Sequence, residues 1–254
     1  MRIISAGLTD TGKKRAGNED SYVSVDDIGL YIVADGMGGH AAGEVASQTA
    51  VQVIRDFMRD VVGNGNAPET ASPDEAAPIL EKLEVSVFHA NDGICHKAIE
   101  NPDLEGMGTT LSGFVVYGNQ ICLVHVGDSR VYRLRDGDLK LLTNDHSWVN
   151  EQVQRNMITE EEARNHRWRN VITRALGHKN DLQVDSEVLE ALPEDMYLVC
   201  SDGLTGMVQD EALREVMLSE GDEPAKACRI LVDKANDAGG TDNITLIIVK
   251  MLES

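Results

Sequence analysis

Four aspartates in this sequence stand directly beside strongly apolar runs, and this pattern restricts the possible folds more than any other feature. The pairs are Asp35 after Leu30–Ala34, Asp128 after Ile121–Val126, Asp202 after Tyr197–Cys200, and Asp242 before Asn243–Val249. Apolar runs of this kind predict buried strands. Because strand ends in a packed sheet converge, we expect these carboxylates to lie together although they are far apart in sequence.

A cluster of carboxylates is unstable without a cation, because like charges repel and burial penalises each charge. Oxygen ligands favour hard divalent ions, so the pattern predicts a site for two Mn²⁺ or Mg²⁺ ions. The alternative is that aspartate is simply common in turns after strands. That explanation is sufficient for one aspartate. For four of them, together with Asn18-Glu19-Asp20 before another strand, we favour the metal site.

Glycines beside these aspartates support the same interpretation. The run Asp35–His40 contains three glycines between a predicted strand and a predicted helix, so its backbone can approach an ion or a phosphate closely. Gly239-Gly240 offers a similar approach before the last strand. Two other Asp-Gly pairs have local explanations, since Asp92-Gly93 predicts a turn that interrupts a helix and Asp136-Gly137 predicts a hairpin turn.

Hydrophobic periodicity indicates strands near both ends of the chain and helices between them. Helices are predicted over Ala41–Val61 and from about Asp74 to Ile99, and these two would pack antiparallel. Helix pairs inserted between strands that are joined by short turns indicate an α+β fold with largely antiparallel sheets, not βαβ units. We expect one domain over residues 1–254, with an irregular polar excursion at about 146–169 that carries both tryptophans.

Charge and composition exclude several functions. With 23 Lys plus Arg against 43 Asp plus Glu, the net charge is −20, which argues against a nucleic-acid partner. No apolar run approaches the ~18 residues that span a bilayer, so we expect no membrane partner. The N-terminal residues lack the apolar centre of a signal peptide, and the four cysteines resemble reduced core thiols, so we expect a cytoplasmic location.

Other phosphate chemistries fit the sequence poorly. The run Gly7–Lys14 nearly spells the phosphate loop of nucleotide hydrolases, but Lys14 replaces the hydroxyl residue that would hold magnesium. No cysteine has an arginine six positions later, and no Gly-x-Ser-x-Gly elbow is present. Cysteine-based and serine-based hydrolysis are therefore disfavoured.

Seven short motifs follow one another along nearly the whole chain. They are Arg15–Ser21, Asp35–His40, Gly106–Thr110, Gly127–Arg130, Thr173–Gly177, Ser201–Leu204 and Gly240–Asn243. In this order they resemble the metal-dependent, type 2C serine/threonine protein phosphatases. Each motif alone is weak, whereas the ordered set is specific. The compact form is similar to the bacterial members that oppose Ser/Thr protein kinases.

The resemblance implies a central β-sandwich of two mainly antiparallel sheets, flanked on both sides by antiparallel helix pairs, with the metals at one end. Position by position, Asp35, Asp202 and Asp242 would hold one metal ion. Asp35 and the carbonyl group of Gly36 would hold the other. The stretch at about 146–169 matches the variable flap of the family, which lies beside the metal site.

Further roles follow from the same resemblance. Glu19 would act through ordered water, Asp20 would support the network, and Asp128 with Asp202 would hold a third, weaker ion. Arg15 matches the arginine that holds the substrate phosphate, a task suited to the two-pronged guanidinium group. The predicted catalytic residues are therefore Arg15, Asp35 and Asp202.

One position departs from the family pattern. Many animal members have a histidine directly after Asp-Gly in the first metal loop, as a general acid for the leaving group, whereas this chain has Met37. His40 is a candidate to assist the substrate instead, with helix capping or packing as the alternative. The general acid is left unassigned.

The implied activity is hydrolysis of phosphoserine and phosphothreonine in proteins by a metal-bridging hydroxide at a binuclear Mn²⁺ or Mg²⁺ site. The expected partners are phosphorylated proteins and a cognate Ser/Thr kinase, and the expected state is a monomer. Two alternatives are a non-catalytic phosphoprotein-binding relative and a metal-dependent hydrolase of small phosphate esters.

Overall fold

Eleven strands form two sheets in the computed structural model, which describes residues 2–39, 41–63, 68–178 and 182–253. The strands are β1 (Arg2–Asp10), β2 (Asp20–Val25), β3 (Leu30–Met37), β4 (Gly108–Thr109), β5 (Leu111–Tyr117), β6 (Gln120–Val126), β7 (Arg130–Arg135), β8 (Asp138–Leu141), β9 (Asp185–Glu190), β10 (Met196–Cys200) and β11 (Ile244–Leu252). The first sheet has the order β1-β11-β10-β7-β8. The second has the order β2-β3-β5-β6-β9, with β4 beside β3. The paired strands are antiparallel.

The described residues form seven helices, of which the four longest cover the outer faces of the two sheets. The seven are α1 (Ala41–Val62), α2 (Pro73–Glu100), α3 (Trp148–Gln154), α4 (Glu160–Arg164), α5 (Asp202–Thr205), α6 (Asp210–Glu220) and α7 (Pro224–Asp237). The buried faces of α1 and α2 pack on the second sheet, and those of α6 and α7 pack on the first. The α+β prediction, with two antiparallel sheets flanked by helices, is confirmed.

The two sheets pack face to face through a shared apolar layer. The ring of Phe114, on β5, lies 5.4 Å from that of Tyr31 on β3 and 5.2 Å from that of Tyr197 on β10 of the other sheet. All three side chains are fully buried, and burial of a side chain this large contributes roughly 1.5–3 kcal/mol. This contact holds the sheets in a fixed relation, which in turn fixes the residues at their ends.

Strand β10 explains why the central strands read as continuous apolar runs. Tyr197 and Val199 face the second sheet, whereas Met196, Leu198 and Cys200 face α6 and α7. Successive residues of a strand point to opposite faces, so a strand covered on both sides is apolar at every position. Such a strand also carries whatever follows it to the end of the sandwich.

Three details differ from the expectations above. Helix α2 continues through Asp92-Gly93 without a turn, because its packing along α1 on both sides of Gly93 outweighs the local turn preference, and a Cβ at Gly93 would make only an ordinary 3.5 Å contact with Thr49. Strand β3 runs beyond Asp35 to Met37, because these last residues pair with β4. Strand β1 was not predicted, and its last four residues form the first half of the run that resembles a phosphate loop.

Two further observations concern membranes and cysteines. No helix in the described ranges is both long enough and apolar enough to cross a bilayer. All four cysteines are buried thiols, as expected for residues in apolar stretches.

Candidate metal and phosphate site

The predicted carboxylates meet at one end of the sandwich, where residues of both sheets come together. Asp20 opens β2 and lies directly opposite Asp35 of β3 in the register of the second sheet. Asp202 follows β10 and Asp242 precedes β11, both in the first sheet. The Oγ of Ser201 donates a 2.8 Å hydrogen bond to Oδ2 of Asp20 and so joins the two sheets at this end.

Electrostatics within this group indicate close mutual contact. Burial raises the pKa of Asp35 well above its ordinary value, and repulsion from Asp20, Asp202 and Asp128 raises it further. Burial and repulsion from Asp242 likewise raise the pKa of Asp202, although a hydrogen bond with Asp35 opposes this shift. The carboxyl groups at this end therefore resist ionisation as long as no cation balances them.

Asp20 and Asp128, in the same group, also have pKa values raised by burial and repulsion. Burial raises the pKa of Asp20 to about 7, with added repulsion from Asp202 and Asp242. Burial raises the pKa of Asp128 to about 8, with repulsion from Asp202 and Asp145. Values this far above the ordinary one mark carboxyl groups that gain from a bound cation.

The oxygen atoms of these carboxylates are suitable ligands for a divalent metal ion. Oδ1 of Asp20 is buried and finds no hydrogen-bond donor among the described residues, and all candidate donors are oxygens, as Mg²⁺ and Mn²⁺ require. No three His, Cys, Asp or Glu side chains in the described ranges stand ready as a metal-ligand set. The chemistry of the residues fits a hard divalent ion, although the described side chains do not form a closed ligand set.

Glycines bring backbone carbonyl groups up to the carboxylates. A Cβ on Gly36 would collide with the carbonyl oxygens of Gly43 and Glu19, and the Gly36 N–H donates to Glu19 O at 3.1 Å. A Cβ on Gly203 would collide with the carbonyl oxygen of Asn243 in the same way. Gly36, whose carbonyl group is predicted as a ligand, is therefore packed against neighbouring backbone so closely that no other residue fits at this position.

Glu19 and Arg15 lie on the loop between β1 and β2, at the rim of this end. The Glu19 carboxylate packs so close to Gly43, in the first turn of α1, that a Cβ there would collide with Oε2. Arg15 Nη2 lies 2.6 Å from Asp242 Oδ2, and its side chain is half exposed. The predicted phosphate-binding arginine therefore contacts one predicted metal ligand directly.

Asn243 is a site residue to which no role was assigned from the sequence. Its Nδ2 donates to the carbonyl oxygens of Thr11 and Gly17, and its Oδ1 accepts from the N–H of Glu19 at 2.9 Å. Asn243 thereby fastens the loop of Arg15 and Glu19 to β11. Its place directly after Asp242 was the available signal.

Asp128, Met37 and His40 are the remaining positions considered from the sequence. Asp128 follows Gly127 after β6 and is close enough to raise the pKa of Asp35 by repulsion. Met37 pairs with Gly108 of β4 and is partly buried. His40, the candidate substrate-binding residue, lies outside the described residues.

The flap begins and ends beside Asp128. Residues 146–148 run next to 171–173, as the N–H of Trp148 donates to the carbonyl oxygen of Val171 at 2.8 Å. Between them, α3 and α4 form the short helical excursion expected outside the core. The rings of Trp148 and Trp168 meet edge to face at 4.6 Å, which gives the flap its own small aromatic cluster.

Comparison with known proteins supports the geometry. A family model described as protein phosphatase 2C matches residues 12–229. The serine/threonine protein phosphatase PstP of Mycobacterium tuberculosis is 39% identical over 249 residues, which cover 98% of this chain and 45% of that protein. The serine/threonine phosphatase stp of Listeria monocytogenes is 38% identical, over 95% of this chain and 93% of that protein. The chain thus spans less than half of the mycobacterial relative.

One solved structure that is similar to this chain contains metal ions. The catalytic domain of PstP in complex with two manganese ions superposes with a TM-score of 0.84 at 38% identity, and the match covers 99% of each chain. The agreement therefore extends over both sheets and their helices, including the end where the aspartates meet.

Proposed function

This chain belongs to the protein phosphatase 2C family, and from that membership we propose that it removes phosphate from phosphoserine and phosphothreonine in proteins with two divalent metal ions. The observation that carries the proposal is the convergence of five aspartates from both sheets at one end of the sandwich. A cation relieves the repulsion in such a cluster. The same cation attracts a phosphate to a chain with a net charge of −20.

The proposed ligands divide between two positions. Asp35, Asp202 and Asp242 would hold one ion, and Asp35 with the carbonyl oxygen of Gly36 would hold the other. Glu19 would act through an ordered water. When bound, the ions supply Lewis-acid chemistry, lowering the pKa of a water and neutralising the phosphoryl oxygens.

The remaining carboxylates support this arrangement. Asp20, held by the Ser201 hydroxyl, would keep the ligands of the two sheets in register. Asp128 with Asp202 would hold a third, weaker ion near the base of the flap. Catalysis by Asp35 and Asp202 consists of holding cations where negative charge develops, not of accepting a covalent bond.

Arg15 is the proposed phosphate-binding residue. Its guanidinium group lies beside Asp242, and the Asn243 side chain anchors its loop through the Gly17 carbonyl group. A guanidinium fork can hold two phosphate oxygens at once and so orient the phosphoryl group for attack. The donor of a proton to the leaving group stays unassigned.

The proposed function also includes the domain organisation and the cellular setting of the protein. We propose one catalytic domain over residues 1–254 with the flap at about 146–169, acting as a monomer in the cytoplasm against a cognate Ser/Thr kinase. Buried thiols at all four cysteines suit a reducing compartment, and relatives with protein phosphatase names support a phosphoprotein substrate.

One assay tests the activity. Phosphate release from matched phosphothreonine and phosphotyrosine peptides and from a nucleotide is measured with Mn²⁺ and with excess chelator. We expect release from phosphothreonine only with Mn²⁺, and slower release from the other two substrates. A protein that binds Mn²⁺ in calorimetry but releases no phosphate would be a non-catalytic relative, and faster turnover of the nucleotide would indicate a hydrolase of small esters.

A further inference from the structure

Five polar side chains are buried together beneath the flap, beside the proposed metal ligands. They are Thr110, Ser112, His125, Ser129 and His146, and none is more than 4% exposed. We call them the polar cluster. Buried polar groups cost free energy unless they are hydrogen-bonded, so the partners of these residues indicate what the cluster holds in place.

His146 grips the backbone of Gly127, the residue before Asp128, from two sides. The N–H of His146 donates to the Gly127 carbonyl oxygen at 2.7 Å, and the Gly127 N–H donates to Nδ1 of His146 at 3.1 Å. Gly127 has a φ of 110°, and a Cβ there would lie 2.6 Å from the side chain of Thr110. The peptide that leads into Asp128 therefore has one tightly enclosed conformation.

The second ring nitrogen of His146 is fixed as well. Because Nδ1 accepts from a backbone N–H, the ring proton is assigned to Nε2, which lies 3.1 Å from Oδ2 of Asp185 as the acceptor and also 3.1 Å from Nη1 of Arg174. Arg174 Nη1 binds the other oxygen of Asp185 at 2.9 Å. Burial lowers the pKa of His146, which keeps the ring neutral and Nδ1 free to accept.

His146 is also the first residue of the flap. Its carbonyl oxygen accepts from the N–H of Thr173 at 2.7 Å, where the chain returns from the flap. The His125 ring packs against that of His146 at a tilt of 37°, with ring centroids 4.6 Å apart, and contacts the carbonyl oxygen of Asn144 through Nε2 at 3.1 Å. The base of the flap and the Asp128 loop are thus held by the same residue, the flap through the His146 backbone and Gly127 through both its backbone and its ring.

The rest of the polar cluster continues to the other metal loop. Ser112 lies between Nδ1 of His125 and the carbonyl oxygen of Ser129, at 2.8 and 2.7 Å. The Ser129 hydroxyl is 2.7 Å from that of Thr110, whose Oγ1 accepts from the N–H of Asp35 at 3.0 Å. A continuous set of contacts therefore links the flap to both Asp128 and Asp35.

We propose that His146 is a positioning residue of the phosphatase reaction, which through Gly127 holds Asp128 in place for the third, weaker ion and fixes the flap at the same point. The inference rests on the proposed function in assigning a metal to Asp128. It adds a residue outside the ligand set whose removal changes metal affinity without removing a ligand.

Two substitutions separate the hydrogen bonds made by the two ring nitrogens of His146. In His146→Asn the amide oxygen replaces Nδ1 as the acceptor from Gly127, whereas in His146→Gln the longer side chain reaches towards Asp185 and leaves the Gly127 N–H without an acceptor. Both variants lose the ring that packs against His125, so both lose the same ring contact. Their difference therefore reports the hydrogen bond to Gly127.

Mn²⁺ binding is measured by calorimetry without substrate, alongside thermal unfolding. For His146→Gln we expect the weakest Mn²⁺ binding event to weaken about tenfold or more, the range found when residues behind metal ligands are changed. His146→Asn should stay within about threefold of the wild type, with a similar fall in Tm. In assays, the Mn²⁺ concentration for half-maximal activity should rise in parallel for His146→Gln.

Each substitution is repeated in an Asp128→Asn background. If His146 acts through Asp128, the additional loss caused by His146→Gln disappears there, because the two changes remove one interaction. An equal loss in both backgrounds, or wild-type Mn²⁺ binding by His146→Gln, would overturn the inference. The calorimetry decides this even if the wild type releases no phosphate, an outcome that would instead refute the proposed activity.

Discussion

The two ends of β10 place the same residue type in opposite circumstances. Asp195 precedes the strand, and its carboxylate is 1% exposed and accepts from Nε and Nη2 of Arg135 at 2.7 and 2.6 Å. The N–H of Leu192 adds a third hydrogen bond at 2.8 Å. Asp202 follows the strand, and burial and the neighbouring Asp242 raise its pKa.

The difference shows how one sandwich divides stability from chemistry. At the Asp195 end, the chain supplies its own cation, and the buried charge is fully hydrogen-bonded. At the Asp202 end, carboxylates are grouped with each other and the half-exposed Arg15 pairs only with Asp242, so most of the charge is left to be balanced from outside the chain. The first end is a structural ion pair, and the second is the proposed metal site, where the grouped carboxylates cost stability that the rest of the fold offsets.

Replacing the two aspartates should separate the two roles most strongly. For Asp202→Asn we expect phosphatase activity to fall by about 10²–10³-fold or more, because a ligand is lost, while the protein stays folded. For Asp195→Asn we expect activity per folded molecule to be retained and the free energy of unfolding to fall by about 2–4 kcal/mol, because Arg135 loses its partner. Steady-state kinetics and urea unfolding measure the two effects.

Circular dichroism of both variants serves as the control for folding. The comparison would fail if Asp202→Asn hydrolysed a phosphothreonine peptide at the wild-type rate, or if Asp195→Asn lost activity without losing stability.

Metal removal should reveal the cost of the Asp202 end as a dependence on pH. The pKa of Asp20 is raised from 3.8 to about 7, so the folded, metal-free state binds protons more tightly than the unfolded state. Stability is then highest at low pH and falls as pH rises towards the folded pKa, by at least about 1.4 kcal/mol for one pKa unit. Unfolding by urea in chelator over this pH range measures the fall.

Added Mn²⁺ should reverse this trend, since the ionised carboxylates then bind a cation. In Asp20→Asn the fall in stability with pH should be smaller, because one of the titrating groups is gone. A metal-free protein whose stability stays flat over the same range would contradict the account of this end.

Arg15 tests whether a cation of the chain at the Asp202 end serves the substrate and not the fold. Because it is half exposed and pairs with Asp242 at the surface, we expect Arg15→Ala to change stability by less than about 0.5 kcal/mol. Loss of charge-assisted bonds to phosphate should raise KM about 10-fold or more, with Arg15→Lys in between. An unchanged KM in Arg15→Ala would reduce this residue to a surface ion pair.

The smallest expected effect compares two glycines. A Cβ at Gly93 of α2 meets only ordinary contacts, so Gly93→Ala should raise the free energy of unfolding by about 0.4–1 kcal/mol and leave activity unchanged. At Gly36 a Cβ collides with two carbonyl oxygens, so Gly36→Ala should lower Mn²⁺ affinity and activity. Thermal unfolding and Mn²⁺ titration measure both, and a destabilised Gly93→Ala would refute the close but unstrained helix packing.

The sequence predicted those elements whose own residues decide their structure. Strand β10 and helix α1 lie within one residue of the predicted bounds, because a doubly covered strand is apolar throughout and an amphipathic helix repeats its apolar residues along one face. Strand β1 was missed because it pairs only with β11, whose apolar residues supply most of the burial. Its own alternation is weak, and Gly7 leaves room for the ring of Tyr22.

Residues of the site were predicted to the same extent. The aspartates stand out because each interrupts or borders an apolar run. The anchoring role of Asn243 and the pairing of Arg135 with Asp195 depend on chain segments that meet only in the folded protein, so neither has a local pattern. Contacts of this kind follow from topology, which periodicity alone does not specify.

The hydrogen bond from Ser201 to Asp20 affects transient opening between the two sheets. It joins the sheets through a carboxylate that is also part of the proposed metal network, so separating the sheets at this end and releasing the metal involve the same atoms. Transient opening that exposes the Thr245 N–H, which donates to Ser201 Oγ, must then slow when metal binds. Amide exchange at the ends of β2 and β11 would thus record metal occupancy, while amides near Asp195 would exchange at a rate independent of metal.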